Sequence, residues 1–483
     1  IIASAFGLQV LDNFVNAVIR TLSAELEKFK DDKQILNLVM AYIPELAIST
    51  LYKKNRDADN QILIGNKAYM LKELISFNLP VPPGFIITTE VFRGYEGVVG
   101  YKHIFKDLKR RVYKEIKELE RITGKTFGDP RNPLLLSVRS GATISLPGMM
   151  CSILNVGISE NIAEGLAQKE DYQWAAWDSY RRFLQTWAMF QGIDRNIFDE
   201  IMKSHKSRYA VAKKFQFNPE QMKQLALSYK EAIVKRGIRI LDNPYQQLQH
   251  AILDVFASWN SEQARIYRHQ MHLSDEWGTA VIVQAMVFGN LNEHSGSGVI
   301  FTRDPKGASQ DVAINGDFIF CVQGDDIVSG LVETFPISEK QRIAEKRESL
   351  ISLETKFPEI YNELVRIAEL LVYEKGFNQQ EIEFTFENAT KRGLYILQTR
   401  DMVQRETDQV RTFVGDKNLE RSFLGIGIGV SGGALTGRAV YSEKEIEHFR
   451  EKEPETALIL IRPDTVPDDV GIILKADGIL TAR

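Results

Sequence analysis

The residue types best suited to chemistry fall in two short stretches, Glu381-Ile-Glu383-Phe-Thr-Phe386 and Leu394-Tyr-Ile-Leu-Gln398-Thr-Arg400. In each, apolar β-formers alternate with other residues over a short run, which predicts two strands. Between them, Glu387-Asn-Ala-Thr-Lys-Arg-Gly393 is polar and ends on glycine, which predicts a hairpin. Strand side chains repeat every second residue, so Glu381 and Glu383 share one face, and Gln398 and Arg400 share another. Antiparallel pairing then gathers two carboxylates, an amide and a guanidinium. A magnesium-bound polyphosphate suits that set: carboxylate and amide oxygens match the hard cation, and the planar arginine fork matches phosphate. The competing reading is a solvated hairpin with one surface ion pair, and the hairpin alone does not choose between them.

Other stretches bear on the choice. Gly65-Asn66-Lys67 opens a helix, so Lys67 sits in its first turn. A cation there opposes the helix dipole unless an anion binds at that end; the plain alternative is an exposed lysine. Pro133-Leu-Leu-Leu-Ser-Val138-Arg139 reads as a strand ending in arginine. The loop after it, Ser140-Gly-Ala-Thr-Ile-Ser-Leu-Pro-Gly148-Met149-Met150, holds small hydroxyl residues and two glycines, which let backbone amides approach an anion. It lacks the lysine-serine ending of a Walker A loop. Thr279-Ala-Val-Ile-Val-Gln284-Ala-Met286-Val-Phe288-Gly289 reads as a buried strand, and Val299-Ile-Phe-Thr302-Arg303 as a second one after a Gly/Asn/Ser-rich loop. That pair suits an adenine wall or plain core sheet. His294 is expected to be exposed, and none of the seven histidines has metal-binding or triad-like spacing.

The elements that must position these residues divide the chain. A length of 483 residues predicts two to four domains. Hydrophobic content of 44% and charged content of 26% are those of an ordinary globular protein, and a net charge of −4 gives no nucleic-acid surface. Cys151 and Cys321 lie far apart and suggest a reducing, cytoplasmic setting, and no apolar run is long enough to span a membrane. Residues 1–55 read as two apolar helices, the second running to about Tyr52, separated by Lys30-Asp-Asp-Lys33. Residues 56–160 read as α/β and 161–260 as mainly helical, with Trp174, Trp177, Tyr180, Phe183 and Trp187 as core. Residues 261–405 are strand-dominated with a helix near 339–375, 406–424 form a charged linker, and 425–483 read as β-rich.

Taken together, these stretches resemble the pyruvate phosphate dikinase and phosphoenolpyruvate synthase family. The resemblance runs from about residue 60 to 483. It rests on Gly65-Asn-Lys67, Leu79-Pro-Val-Pro-Pro-Gly-Phe85, Ser137-Val-Arg139-Ser-Gly-Ala142, Leu146-Pro-Gly-Met-Met150 and Gln284-Ala-Met-Val-Phe-Gly-Asn290. Further matches are Ser295-Gly-Ser-Gly-Val299, Phe301-Thr-Arg-Asp-Pro305, Gln323-Gly-Asp325-Asp326, Glu381-Ile-Glu-Phe384 and Leu397-Gln-Thr-Arg400. The Pro-Gly-Met-Met loop is similar to that of the dikinase branch. The resemblance implies an ATP-grasp nucleotide-binding domain with a helical insertion, multidomain α/β and α+β overall, followed by the start of a swivelling β/β/α phosphohistidine domain at 425–483. It implies ATP and Mg2+ as cofactors. Lys67, Arg139 and Arg400 would hold phosphates, Arg139 and Arg400 as the catalytic pair. Glu383 and Gln398 would face magnesium with Glu381 beside them. Backbone at Gly148 and Met149 would cover the phosphates, Gln284 to Met286 would line adenine, and Asp325 would face the ribose. Glu381 departs from the family's usual aspartate, and Asp325 from its usual glutamate.

The activity so implied turns ATP, orthophosphate and pyruvate into AMP, diphosphate and phosphoenolpyruvate through a phosphohistidine. In the family that histidine follows soon after the Gly478-Ile-Leu-Thr-Ala-Arg483 stretch, so a longer parent polypeptide is expected, with the pyruvate site and a homodimer contact in its C-terminal part. Water as second acceptor, as in the synthase, is the alternative. Two further rivals are a non-catalytic nucleotide-binding regulatory module and an acyl-phosphate-forming ATP-grasp ligase. The full phosphate and metal set argues against the first, the swivel-domain start against the second. No nucleic-acid or membrane partner is expected.

Overall fold

In the computed structural model, the described residues are 12–24, 43–94, 102–144, 150, 152–305, 311–324, 334–402, 434–462 and 470–482. The chain divides into two compact units, Ile1–Met402 and Val403–Arg483. The first is built on two five-stranded sheets, each antiparallel throughout. One has the order β1 (Ile48–Thr50), β2 (Gly84–Ile87), β5 (Ala280–Ala285), β3 (Leu136–Gly141), β4 (Ser152–Val156). The other has the order β10 (Leu394–Asp401), β9 (Gln380–Phe386), β6 (Gly296–Phe301), β7 (Asn315–Phe320), β8 (Phe335–Pro336).

Apolar runs decide the layering. β5 is buried along its whole length. Its residues alternate between two cores, Val281 and Val283 on one side, Ala280 and Ile282 on the other. The first core is closed by helices Lys102–Thr123 and Pro244–Ser258. The second is shared with helix α1 (Gln61–Ser76) and reaches Ile382, Phe384 and Ile396 of the other sheet, which ties the two sheets into one body. The predicted helical region is present at Glu160–Leu166, Tyr172–Phe190, Arg195–Arg208, Pro219–Lys235 and Pro244–Ser258. Trp177, Tyr180, Phe183 and Trp187 are buried in its core, with Trp174 packed against it.

Several expectations change. Residues 12–24 are helical, but 43–52 do not continue a second helix: Pro44 starts a single 3-10 turn, and β-branched Ile48 and Thr50 bracket an edge strand paired with β2. β6 begins at Gly296, earlier than the Val299 expected. Phe386 and Phe384 cross Gly296 and Gly298 so closely that a Cβ would come within 2.7 and 2.4 Å of their rings, so glycine here marks close packing and not a loop. Residues 261–405 serve both sheets, because β5 returns between β2 and β3. The second unit alternates strand and helix where a β-rich segment was expected. Its strands β11 (Arg438–Val440), β12 (Leu458–Arg462) and β13 (Gly478–Thr481) are parallel, and helix Glu443–Lys452 supplies the crossover that parallel pairing demands. The 406–424 linker lies outside the described residues. No helix among the described residues is long and apolar enough to cross a membrane.

Candidate nucleotide site

The predicted hairpin forms with the register its chemistry needs. Glu383 faces Gln398 and Glu381 faces Arg400, with a bulge between Ile396 and Gln398. Arg400 Nη2 lies 2.5 Å from Glu381 Oε1. The even-numbered residues Ile382, Phe384 and Phe386 go into the core, so Glu381 and Glu383 take the opposite face of the strand. Both the ion pair of the plain reading and the four-residue cluster of the chemical one are therefore present, and the surroundings separate them.

Those surroundings are a narrow cleft between the sheets. The first sheet lines it with Ser137, Arg139, Gln284, Ala285, Met286 and Val287; the second with Gly298, Val299, Glu383 and Leu397. Gln323 and Gly324, just after β7, complete the wall. The two strands read as an adenine wall are thus not neighbours in one sheet: β5 and β6 face each other across the cleft.

α1 brings Lys67 to the same place. Asn60 caps the helix by accepting from Leu63 N–H at 3.0 Å. Helical geometry breaks at Gly65, which has φ +75°. That left-handed residue lets the chain press against the end of β3: a Cβ on Gly65 would sit 2.0 Å from the Gly141 carbonyl oxygen, and Asn66 N–H donates to Ala142 C=O at 3.0 Å. Lys67 therefore lies in the first turn after the break, partly open to the cleft but surrounded by protein. Burial lowers its ammonium to about 8; Arg139 and Arg400 push the same way and Glu383 opposes them. Four of the expected site residues thus act on one another electrostatically. Three cations against two carboxylates, Glu383 and the Glu381 paired with Arg400, leave a net positive charge that a polyanion neutralises.

Gln284 and Met286 are on the cleft wall, but the Gln284 side chain is buried and donates to Pro82 C=O at 2.9 Å. It fastens β5 to the segment before β2. Gly148, Met149 and Asp325 lie outside the described residues. Magnesium takes one or two carboxylates plus phosphate oxygens and water, and the Glu383–Gln398 pair is a donor set of that kind. No cluster of three or more His, Cys, Asp or Glu fit for a metal occurs among the described residues, so such an ion would depend on ligand oxygens. His294 is exposed.

Sequence reasoning assigned Glu387 to the turn and gave Gln323 no role. Yet Glu387 Oε1 accepts from Phe288 N–H at 3.0 Å, and Gln323 Nε2 donates to Val287 C=O at 3.3 Å. Glu387 stands one residue past β9, where the sequence marks only the opening of a polar turn, so only the fold brings the Phe288 N–H to it.

Residues 99–356 match the sequence model of a family described as pyruvate phosphate dikinase, AMP/ATP-binding domain. The chain is similar to the pyruvate, phosphate dikinase of Rhizobium meliloti, with 35% identity over 459 residues, 88% of this chain and 50% of that protein. It is 33% identical to that of Clostridium symbiosum over 464 residues, 88% and 50% of the two chains. With the chloroplastic enzyme of Flaveria pringlei it shares 33% over 459 residues, 88% and 45%. The chain spans about half the length of these curated relatives. With the matched model covering more than half of its residues and carrying β3 through β8 of the cleft's two sheets, the chain belongs to the pyruvate phosphate dikinase family, in its AMP/ATP-binding portion.

Proposed function

We propose that this chain binds Mg-ATP in the cleft between its two antiparallel sheets, an ATP-grasp arrangement, and donates a phosphoryl group in a dikinase-type reaction. The overall conversion would be ATP, orthophosphate and pyruvate to AMP, diphosphate and phosphoenolpyruvate, through a phosphohistidine carried by a swivelling domain. The observation that carries this reading is the convergence of Arg139, Arg400 and Glu383 on Lys67, with Arg139 and Glu383 lining the cleft. Phosphoryl transfer asks a protein mainly for positioning and charge neutralisation. Lys67 would reach the phosphates from α1, Arg139 from the first sheet and Arg400 from the second, so both sheets would grip the polyphosphate. Glu383 and Gln398 would hold magnesium, which supplies neutralisation of the charge on the transferring group. Glu381, paired with Arg400, would orient that guanidinium. Gly148, Met149 and Asp325 keep the roles the family resemblance gives them, covering the phosphates and facing the ribose.

A charge-assisted hydrogen bond contributes roughly 1.5–3 kcal/mol, so Arg400→Ala is expected to weaken Mg-ATP binding at least ~10-fold. Calorimetric titration checks this. Unchanged affinity in a folded variant would remove Arg400 from the site.

A further inference from the structure

The face of the second sheet that carries Glu383 and Glu381 extends beyond them. On β6, Val299 stands opposite Glu383 and Phe301 opposite Glu381, while Ile300 between them goes into the core. The pairing runs on past the end of β6. Thr302 N–H donates to Gln380 C=O at 2.9 Å, Ala313 N–H donates to Thr302 C=O at 2.8 Å, and Thr302 is fully buried. Alternation therefore puts Arg303 on the face of Val299, Phe301, Glu381 and Glu383. It lies diagonal to Glu381, at about 7–8 Å in strand geometry. Arg303 is half-buried, and its Nε is buried without a hydrogen bond among the described residues. The carboxylates around it are engaged or turned away. Glu381 pairs with Arg400. Asp401, across from Gln380 on the opposite face, accepts from Gln380 Nε2 at 2.6 Å and from Asn378 Nδ2 at 3.0 Å. Asp304 is exposed.

We propose that Arg303 holds the second phosphoryl acceptor, and that this acceptor is an oxyanion, orthophosphate, rather than water. The inference rests on the nucleotide reading above and adds to it which residue receives the acceptor. Position supports it. Val299 and Glu383 line the cleft together with Arg139 and Met286. One residue pair further along the same face come Phe301, Glu381 and Arg400, and Arg303 follows past the end of that row. A polyphosphate that starts from a base beside Gln284 to Met286 and ends at Arg400 has Arg303 next in line. Chemistry supports it as well. A buried donor with no acceptor is unfavourable, and a guanidinium fork matches a tetrahedral oxyanion. Two anions must meet in such a transfer, and a fixed cation offsets their repulsion; an attacking water would need no such group. In the step itself, an orthophosphate oxygen bonds to the terminal phosphorus as the bridging P–O bond breaks. The electron pair of that bond stays on the bridging oxygen, any proton on orthophosphate stays with the diphosphate formed, and the donor is left one phosphoryl shorter.

The test titrates orthophosphate into this chain saturated with the magnesium complex of β,γ-imido-ATP, so that the nucleotide's own phosphate positions are filled. Calorimetry of the unaltered protein is expected to show one orthophosphate bound per chain. Arg303→Gln is expected to lose about tenfold or more in affinity for orthophosphate and to bind the analogue within about twofold of the unaltered protein. Should the glutamine variant not fold, Arg303→Lys, a point charge without the fork, takes its place, and a loss confined to orthophosphate is again expected. Unchanged orthophosphate affinity in the variant, equal losses for both ligands, or displacement of the analogue by orthophosphate would overturn the assignment while leaving the nucleotide site standing. So would an unaltered protein that binds the analogue and no orthophosphate. An unaltered protein that does not bind the analogue would overturn the nucleotide reading itself, and this inference with it.

Discussion

At the scale of residues, Lys67 is the most informative side chain. Its ammonium is lowered to about 8, first by burial and then by Arg139, with Arg400 adding to the effect against Glu383. The folded protein thus holds this proton less tightly than the unfolded chain, so the charged lysine costs stability below about pH 8, and that cost is relieved as the pH rises. A bound polyphosphate favours the charged form and raises the value again. Mg-ATP binding should therefore take up protons near pH 8, and affinity should fall by about tenfold between roughly pH 7 and pH 9 as unliganded Lys67 deprotonates. Calorimetry in buffers of different ionisation enthalpy measures both effects. Lys67→Arg, whose guanidinium stays charged, should abolish the uptake and flatten the profile. A flat profile in the unaltered protein, or the same fall in the arginine variant, would show that Lys67 does not meet the phosphates. The hairpin's share of this cluster was legible because strand alternation puts Glu381 and Glu383 on one face and antiparallel pairing sets them against Arg400 and Gln398, whereas Lys67 alone read equally as an exposed lysine. Glu387 was not legible, because a glutamate opening a polar turn looks like any solvated residue; only the fold brings Phe288 N–H to it.

At the scale of elements, the hairpin was readable because alternation fixes the face of every residue on it, and the observed register follows from that. The break in α1 was not. Gly65 lies in an otherwise regular helical pattern, and its cause is the distant β3 strand end at Gly141. Gly65→Ala has to relieve a 2.0 Å approach to a backbone oxygen as well as a positive φ. Gly124 is the internal comparison: its φ is +66°, but nothing lies within 4 Å of an added Cβ. Gly124→Ala should cost about 1 kcal/mol, and Gly65→Ala at least about 2 kcal/mol more. Paired urea or thermal unfolding of the two variants measures the difference. Equal costs would mean that the close approach of α1 to β3 is slack, and that Lys67 is not held where the site needs it. Local pattern failed in the same way at β6, where Gly296 and Gly298 read as loop residues because the phenylalanines lying over them are nearly a hundred residues away in sequence, and at Ile48–Thr50, a strand too short to announce itself beside an apolar run.

At the scale of the whole molecule, the sequence revealed the order of α/β, helical and strand-rich regions, but not that β5 crosses back into the first sheet. That return places the start of the connection from β5 to β6, Met286 and Val287, along the cleft, so one continuous segment joins the two sheets beside it. Long-range pairing of this kind has no local signature. The central claim, that the cleft between the sheets is a magnesium-nucleotide site, is tested most directly by a crystal structure of this chain with manganese and a non-hydrolysable ATP analogue. The account predicts an anomalous manganese peak beside Glu383 and Gln398, phosphates in contact with Lys67, Arg139 and Arg400, and the base beside Gln284 to Met286. A nucleotide bound elsewhere, for instance in the apolar groove between Leu108, Val112, Leu248 and Ile252, with the cleft between the sheets empty, would contradict it.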